Sequence, residues 1–167
     1  PELGTLQNLE FLNLNRNTFS GSLPAAFCNL TRLSYLAASN NSLTGSIFPG
    51  IGTLVNLRRL VLSSNGLTGP IPEEIGQLEN LEVINLMNNG FTGSIPEEIG
   101  HLKRLKVLKL SNCKFNGAIP RSIGGLESLM TLDISGNNFT AELPTSVGEL
   151  SNLIKLLAVR AGLTGAI

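Results

Sequence analysis

Apolar residues recur along this chain at a fixed interval of 24 positions, without insertion or deletion. Leu6, Leu30, Leu54, Leu78, Leu102, Leu126 and Leu150 open the pattern, and Leu9, Leu33, Leu57, Leu81, Leu105, Leu129 and Leu153 follow three residues later. Next come Leu12, Leu36, Leu60, Ile84, Leu108, Leu132 and Leu156, then, two residues on, Leu14, Ala38, Leu62, Leu86, Leu110, Ile134 and Ala158. A spacing of two marks a short strand with one buried face, so the residues flanking each inward leucine point outward. No repeat can bury its leucines alone, and strands from successive repeats must stack in parallel about 4.8 Å apart. The pattern predicts a single α/β solenoid over residues 1–167, about seven repeats long, with a parallel sheet along one side.

The turns follow the same beat. Asn17, Asn41, Asn65, Asn89 and Asn137 stand just past the strand, with Cys113 and Ala161 in the other two places of that column. An amide there can satisfy backbone groups stranded inside the coil, so these residues are expected to form a ladder, with Cys113 as a substitute rung. Phe19, Leu43, Leu67, Phe91, Phe115, Phe139 and Leu163 come next, followed by Gly21, Gly45, Gly69, Gly93, Gly117, Ala141 and Gly165. In Pro72-Glu73-Glu74-Ile75-Gly76 and Pro96-Glu97-Glu98-Ile99-Gly100, proline is expected to start a short helical turn and glycine to end it. The paired glutamates suit the first turn of such a helix and need no catalytic role.

Composition adds mainly exclusions. Twelve basic and twelve acidic residues cancel, so net charge gives no reason to expect nucleic-acid or anionic-membrane binding. An apolar content of 42% excludes wholesale disorder, and no apolar run approaches the roughly 20 residues of a membrane helix. Pro1-Glu2-Leu3-Gly4 does not begin a signal peptide. The single histidine, His101, takes a variable position expected to be an exposed turn, and one His with two Cys cannot build a zinc site or a hydrolase triad. Cys28 and Cys113 lie three to four repeats apart, beyond the roughly 7 Å that a disulfide spans, so two free thiols are expected. No metal, no cofactor and no enzyme activity are expected.

The columns together spell L-x-x-L-x-L-x-x-N-x-L, the signature of leucine-rich repeats. Gly69-Pro70-Ile71-Pro72-Glu73-Glu74-Ile75-Gly76-Gln77-Leu78 resembles the plant-specific class, and the resemblance covers the whole chain. It implies short second strands after the Asn turn and a right-handed superhelix with a concave sheet. Less repetitive stretches resemble the ectodomain of grass receptor kinases that set sporocyte number. These are Phe48-Pro49-Gly50-Ile51-Gly52, Asn112-Cys113-Lys114-Phe115, Ser122-Ile123-Gly124-Gly125-Leu126 and Ala141 to Leu153. That resemblance implies an extracellular location, a secreted peptide or small cysteine-rich protein as ligand, and a co-receptor as a further partner. Nothing kinase-like is present in this chain.

Outward positions line up across repeats. One column reads Phe11, Tyr35, Arg59, Val83, Val107, Thr131, Lys155, a second Asn13, Ala37, Val61, Asn85, Lys109, Asp133, Leu157, and a third Asn15, Ser39, Ser63, Met87, Ser111, Ser135, Val159. Solenoids use such a face for protein recognition. The candidate ligand-binding residues are Phe11, Tyr35, Arg59, Val83, Lys106, Lys109, Asp133 and Lys155. Phe11, Tyr35 and Arg59 have the composition of interface anchors, though outward aromatics also simply cover one another. His101, Lys103, Arg104, Lys106, Lys109, Lys114 and Arg121 form a run with no acid between Glu98 and Glu127. Lateral pairing along Arg58, Glu82 and Lys106, and between Lys109 and Asp133, is expected to absorb part of it; Lys103, Arg104, Lys114 and Arg121 are left over.

Asn29, Asn40 and Asn138 begin glycosylation sequons. Two other functions compete with a receptor segment. A secreted inhibitor of microbial cell-wall hydrolases would use the same basic face. An ice-binding protein would use the small polar columns Ser39, Ser63, Ser111, Ser135 and Ser64, Asn88, Asn112, which Arg16, Met87 and Arg160 interrupt. Neither end carries a polar cap, so the chain reads as a window onto a longer solenoid. Leu3, Leu6, Leu9, Leu163 and Ile167 are then expected to be partly exposed and open to end-to-end self-association.

Overall fold

The computed structural model describes residues 2–166; Ile167 lies outside the described residues. Seven strands, Phe11–Asn13, Tyr35–Ala37, Arg59–Val61, Val83–Asn85, Val107–Lys109, Thr131–Asp133 and Lys155–Leu157, form one parallel sheet in chain order. Each pairs with the equivalent strand of the next repeat, so Leu12, Leu36, Leu60, Ile84, Leu108 and Leu132 stand side by side and buried. Behind them Leu30, Leu54, Leu78, Leu102 and Leu126 are fully buried, as are Leu33, Leu57, Leu81, Leu105 and Leu129. Leu3 and Leu6 are exposed, and Leu9 and Leu163 are half-buried. The fold is a leucine-rich-repeat solenoid.

Short second strands follow the Asn turn. Ser20–Ser22 pairs with Ser42–Thr44, and Thr68–Gly69, Gly90–Gly93 and Lys114–Phe115 form a further parallel set. In the main sheet each residue faces its own repeat equivalent, as Phe11 faces Tyr35. In the second strands the register falls short of that: Ser20 faces Ser42 rather than Thr44, and Thr68 faces Gly90 rather than Thr92. Lys114 facing Thr92 shows the same offset, so successive coils are staggered and cannot stack as flat rings. Between the two sets, Phe91, Phe115 and Phe139 stack as a buried column with ring centres 6.3 and 6.1 Å apart. The asparagine ladder runs beside it. Asn65 Nδ2 donates to the carbonyls of Ala38 and Leu62 at 2.9 and 3.1 Å, while its Oδ1 accepts from Leu43 N–H at 3.0 Å. Asn41, Asn89 and Asn137 repeat this pattern, and Asn17 reaches the Leu14 carbonyl at 3.1 Å. Cys113 makes the longer contacts of a thiol, 3.5 Å to the Leu86 carbonyl and 3.7 Å to that of Ser111.

The remaining side of each coil is a short 3-10 turn, four residues long at Glu2–Thr5 and five at positions such as Glu73–Gln77, Glu97–His101 and Arg121–Gly125. Here two expectations need correction. Pro72 and Pro96 are not the first helical residue but the cap before it, with extended backbone at φ −68° and −67°. Each offers its carbonyl to the first turn bond, Ile75 N–H to Pro72 O and Ile99 N–H to Pro96 O, both at 3.1 Å. That role needs no N–H from proline. Gly76 and Gly100 do not terminate the turn through a left-handed conformation. They leave room: a Cβ on Gly76 would lie 2.7 Å from the Glu98 carbonyl oxygen in the next turn, and one on Gly100 2.5 Å from that of Ser122. Where Cys28 replaces this glycine, the facing position is itself a glycine, Gly50, so only one Cβ enters the contact.

A further regularity lies in the backbone and not in the residue types. Arg16, Asn40, Ser64, Asn88, Asn112 and Arg160 all lie in the left-handed region, at φ between 52 and 56°. The conformation costs a non-glycine residue about 1–2 kcal/mol and is best tolerated by Asn. In all but Arg160 it aims the N–H at the next coil, as with Asn40 to Ser63 O at 3.0 Å and Asn88 to Ser111 O at 2.9 Å.

Candidate functional site

The outward residues of the seven strands form the candidate surface, and the parallel register places them in straight rows. Phe11 and Tyr35 are stacked, with ring centres 4.2 Å apart and planes 12° from parallel. Phe11 stays 59% exposed, so mutual coverage is real but incomplete. Arg59 follows in the same row, exposed; Val83, Val107 and Thr131 are half-buried, and Lys155 is exposed. In the second row Ala37 is buried and Val61, Asn85, Lys109 and Asp133 are half-buried.

The third row is mixed: Asn15, Met87 and Ser135 are half-buried and Val159 is exposed. Ser39, Ser63 and Ser111 are buried, and their hydroxyls bond within the protein: Ser63 to Ser39 at 2.9 Å, Ser111 to Asp133 Oδ2 at 2.9 Å. The regular hydroxyl array that ice binding would require is therefore turned inward along this row.

The charges divide differently from expectation. Glu82 sits between Arg58 at 3.5 Å and Lys106 at 3.0 Å, as lateral pairing predicts. The Lys106 ammonium, bonded to it, holds the Glu82 carboxyl below its ordinary range. Lys103 is paired with Glu127 at 3.1 Å and Arg104 donates to Asn80 Oδ1 at 2.9 Å, so two residues left over in the sequence find partners. Lys109 and Asp133 are register neighbours but form no ion pair, contrary to expectation. The Asp133 carboxylate turns instead to Ser111 Oγ and, at 3.1 Å, to Ser135 N–H. Backbone and hydroxyl donors close to the strand end hold it more cheaply than a mobile lysine does. Lys114, Arg121 and His101 are exposed.

A second ladder runs along the approach to the strands. Asn56, Asn80 and Asn152 each donate to a carbonyl of the preceding coil, those of Thr31, Val55 and Glu127, at 2.7–2.9 Å. The recurrence of asparagine at one repeat position was its signal. The sequon residues Asn29, Asn40 and Asn138 are all exposed. Cys28 is half-buried and Cys113 buried, both as free thiols; burial pushes the Cys113 thiol up. A surface hollow of about 690 Å³ follows the Ile-Pro turns around Ile95, Ile119 and Leu143 and includes none of the sheet-face residues. No helix among the described residues is long and apolar enough to cross a membrane.

Leucine-rich repeat family models match residues 8–30, 32–54, 55–115 and 79–139, more than half of the chain. The chain belongs to the leucine-rich repeat family. Among solved structures, the repeats are similar to the plant peptide hormone receptor RGFR1 in complex with RGF2 (35% identity, TM-score 0.92, 93% of this chain and 25% of that one). They are also similar to the Arabidopsis receptor kinase HAESA in complex with the peptide hormone IDA and the co-receptor SERK1 (38% identity, TM-score 0.85, 89% and 25%). The likeness is not confined to plants: a leucine-rich repeat protein of Leptospira interrogans matches at 34% identity and TM-score 0.68, over 93% of this chain and 44% of that one. The chain thus spans about a quarter of the plant receptor chains. No curated protein matches it.

Proposed function

We propose that this chain is a ligand-binding segment of a plant cell-surface leucine-rich repeat receptor, of the grass sporocyte-number type. It faces the apoplast and recognises a secreted peptide or small cysteine-rich protein, with a co-receptor as second partner. The observation that carries the reading is the sheet face itself. Seven strands held in one register present Tyr35, Arg59, Val83 and Lys109 in fixed rows, while the turns around them are closed by internal hydrogen bonds. A rigid surface of this kind loses little conformational entropy on binding. Its likeness to the receptor ectodomains solved with peptide hormones supports the same use here.

Binding residues on this reading are Phe11, Tyr35, Arg59, Val83, Lys106, Lys109, Asp133 and Lys155, and glycans on Asn29, Asn40 and Asn138 would lie outside that set. The test is titration of the chain against a panel of secreted plant peptides and cysteine-rich proteins. Tyr35→Ala with Arg59→Ala is expected to weaken any binder at least tenfold; an unchanged affinity refutes the assignment. Site-by-site mass spectrometry of protein secreted from plant cells reads the three asparagines directly.

A further inference from the structure

Three interior strands form a patch of six outward residues: Arg59, Val83 and Val107 in one row, Val61, Asn85 and Lys109 in the next. The cations occupy opposite corners. Neither makes an ion pair, because the nearby acids are engaged: Glu82 by Arg58 and Lys106, Asp133 by Ser111 and Ser135. Four cations stand against two acids here, so the patch is net positive although the chain is neutral. At its centre, Asn85 Oδ1 accepts from Met87 N–H at 3.3 Å, and its Nδ2 donates to no group among the described residues.

The spacing is informative. Arg59 and Lys109 lie two strands apart along the sheet and two residues apart across it, a diagonal of about 12 Å from strand and residue spacings. An extended peptide advances about 3.3 Å per residue and points every second side chain the same way. Residues i and i+4 are then about 13 Å apart on one face, with i+2 between them. Residues i and i+2 span only about 7 Å and cannot reach both corners.

We propose that this patch selects an extended peptide segment carrying two carboxylates four residues apart, one at Arg59 and one at Lys109, with a small apolar residue between them over Val83. Asn85 donates to a backbone carbonyl of the same segment. The inference rests on the sheet-face reading above and names the chemistry that face selects.

The probe is a blocked peptide of about twelve residues, Gly/Ser-rich with a central Glu-x-Val-x-Glu, compared with the Gln-x-Val-x-Gln and Glu-Val-Glu forms by fluorescence polarisation. The four-residue spacing is expected to bind at least fivefold more tightly than either control, and the advantage to shrink with added salt. Arg59→Gln and Lys109→Gln should each reduce that advantage, whereas Lys114→Gln, away from the sheet face, should leave it unchanged. Val83→Trp should abolish binding of every form. If Glu and Gln peptides bind equally and Val83→Trp removes both, the carboxylate pair is wrong and the sheet face still binds peptide. If Val83→Trp leaves binding intact, the sheet face is not the site and both readings fall. No binding of the Glu peptide overturns the proposal. Circular dichroism of each variant establishes that the fold is retained.

Discussion

Replacing Gly76 by alanine adds one methyl group at the point where two 3-10 turns touch. The new Cβ would lie 2.7 Å from the Glu98 carbonyl oxygen and 2.6 Å from the Glu98 Cβ, against the roughly 3.4 Å of ordinary contact. The carbonyl oxygen is backbone of the next coil and the Cβ is fixed directly to that backbone, so neither can swing aside and relief requires the turns to separate by more than half an ångström. Overpacking of this kind costs about 1–3 kcal/mol. Alanine in place of glycine returns about 0.4–1 kcal/mol through the unfolded chain, leaving a net loss of up to about 2.5 kcal/mol. Gly148 is the same repeat position with nothing within 4 Å of an added Cβ. Gly148→Ala is therefore expected to be neutral or slightly stabilising. The two variants isolate space from backbone conformation, since neither glycine lies at positive φ. Thermal melts followed by far-ultraviolet circular dichroism compare them. At a size of about 150–250 residues a loss of 1 kcal/mol lowers Tm by about 2–4 °C. If Gly76→Ala melts with or above the parent, or if both variants fall equally, close approach is not what the glycine column provides.

Three further outcomes follow from particular contacts. Cys113→Asn should restore a full rung, with donors to the Leu86 and Leu110 carbonyls, and raise stability by about 1 kcal/mol; a melt at or below the parent would show that the coil has adapted to the thiol. Because burial raises the Cys113 thiol pKa, a maleimide at neutral pH should label Cys28 first and Cys113 only on unfolding, as read by mass spectrometry. Glu82, whose folded pKa is depressed, contributes stability that is present above the unfolded carboxylate pKa and lost as pH falls through the folded one. Glu82→Gln should therefore flatten the acid limb of a Tm-against-pH curve; an acid limb identical to the parent's would remove the Arg58–Glu82–Lys106 row from the account.

The architecture was legible because one constraint repeats. Buried leucines at the same short spacings, copied in every repeat without a slip, admit only parallel stacking, and the structure places those columns side by side. The asparagine ladder was legible for the same reason: a buried carbonyl needs a donor, and only the amide column supplies one. What failed depended on small differences in three dimensions. The proline before each turn and the glycine within it fit a helix start and stop equally well, and only the approach of Glu98 to Gly76 shows that the glycine provides space. The replacement of glycine by Cys28 is intelligible only beside Gly50 in the next coil, and the stagger that makes them neighbours is not written in either residue.

For the candidate surface, the sequence determined which residues face outward, since alternation along a strand is fixed by backbone geometry. It did not determine which of them remain available. Asp133 was expected to pair with Lys109, but its carboxylate meets Ser111 and Ser135 at close range, and the competition between a nearby N–H and a long, solvated ammonium is decided by distances. Ser39, Ser63 and Ser111 are outward by count yet buried by packing. Sequence periodicity thus set the frame and its rows, and tertiary contacts chose the free charges, because a charge is available to a ligand only after its neighbours have been satisfied.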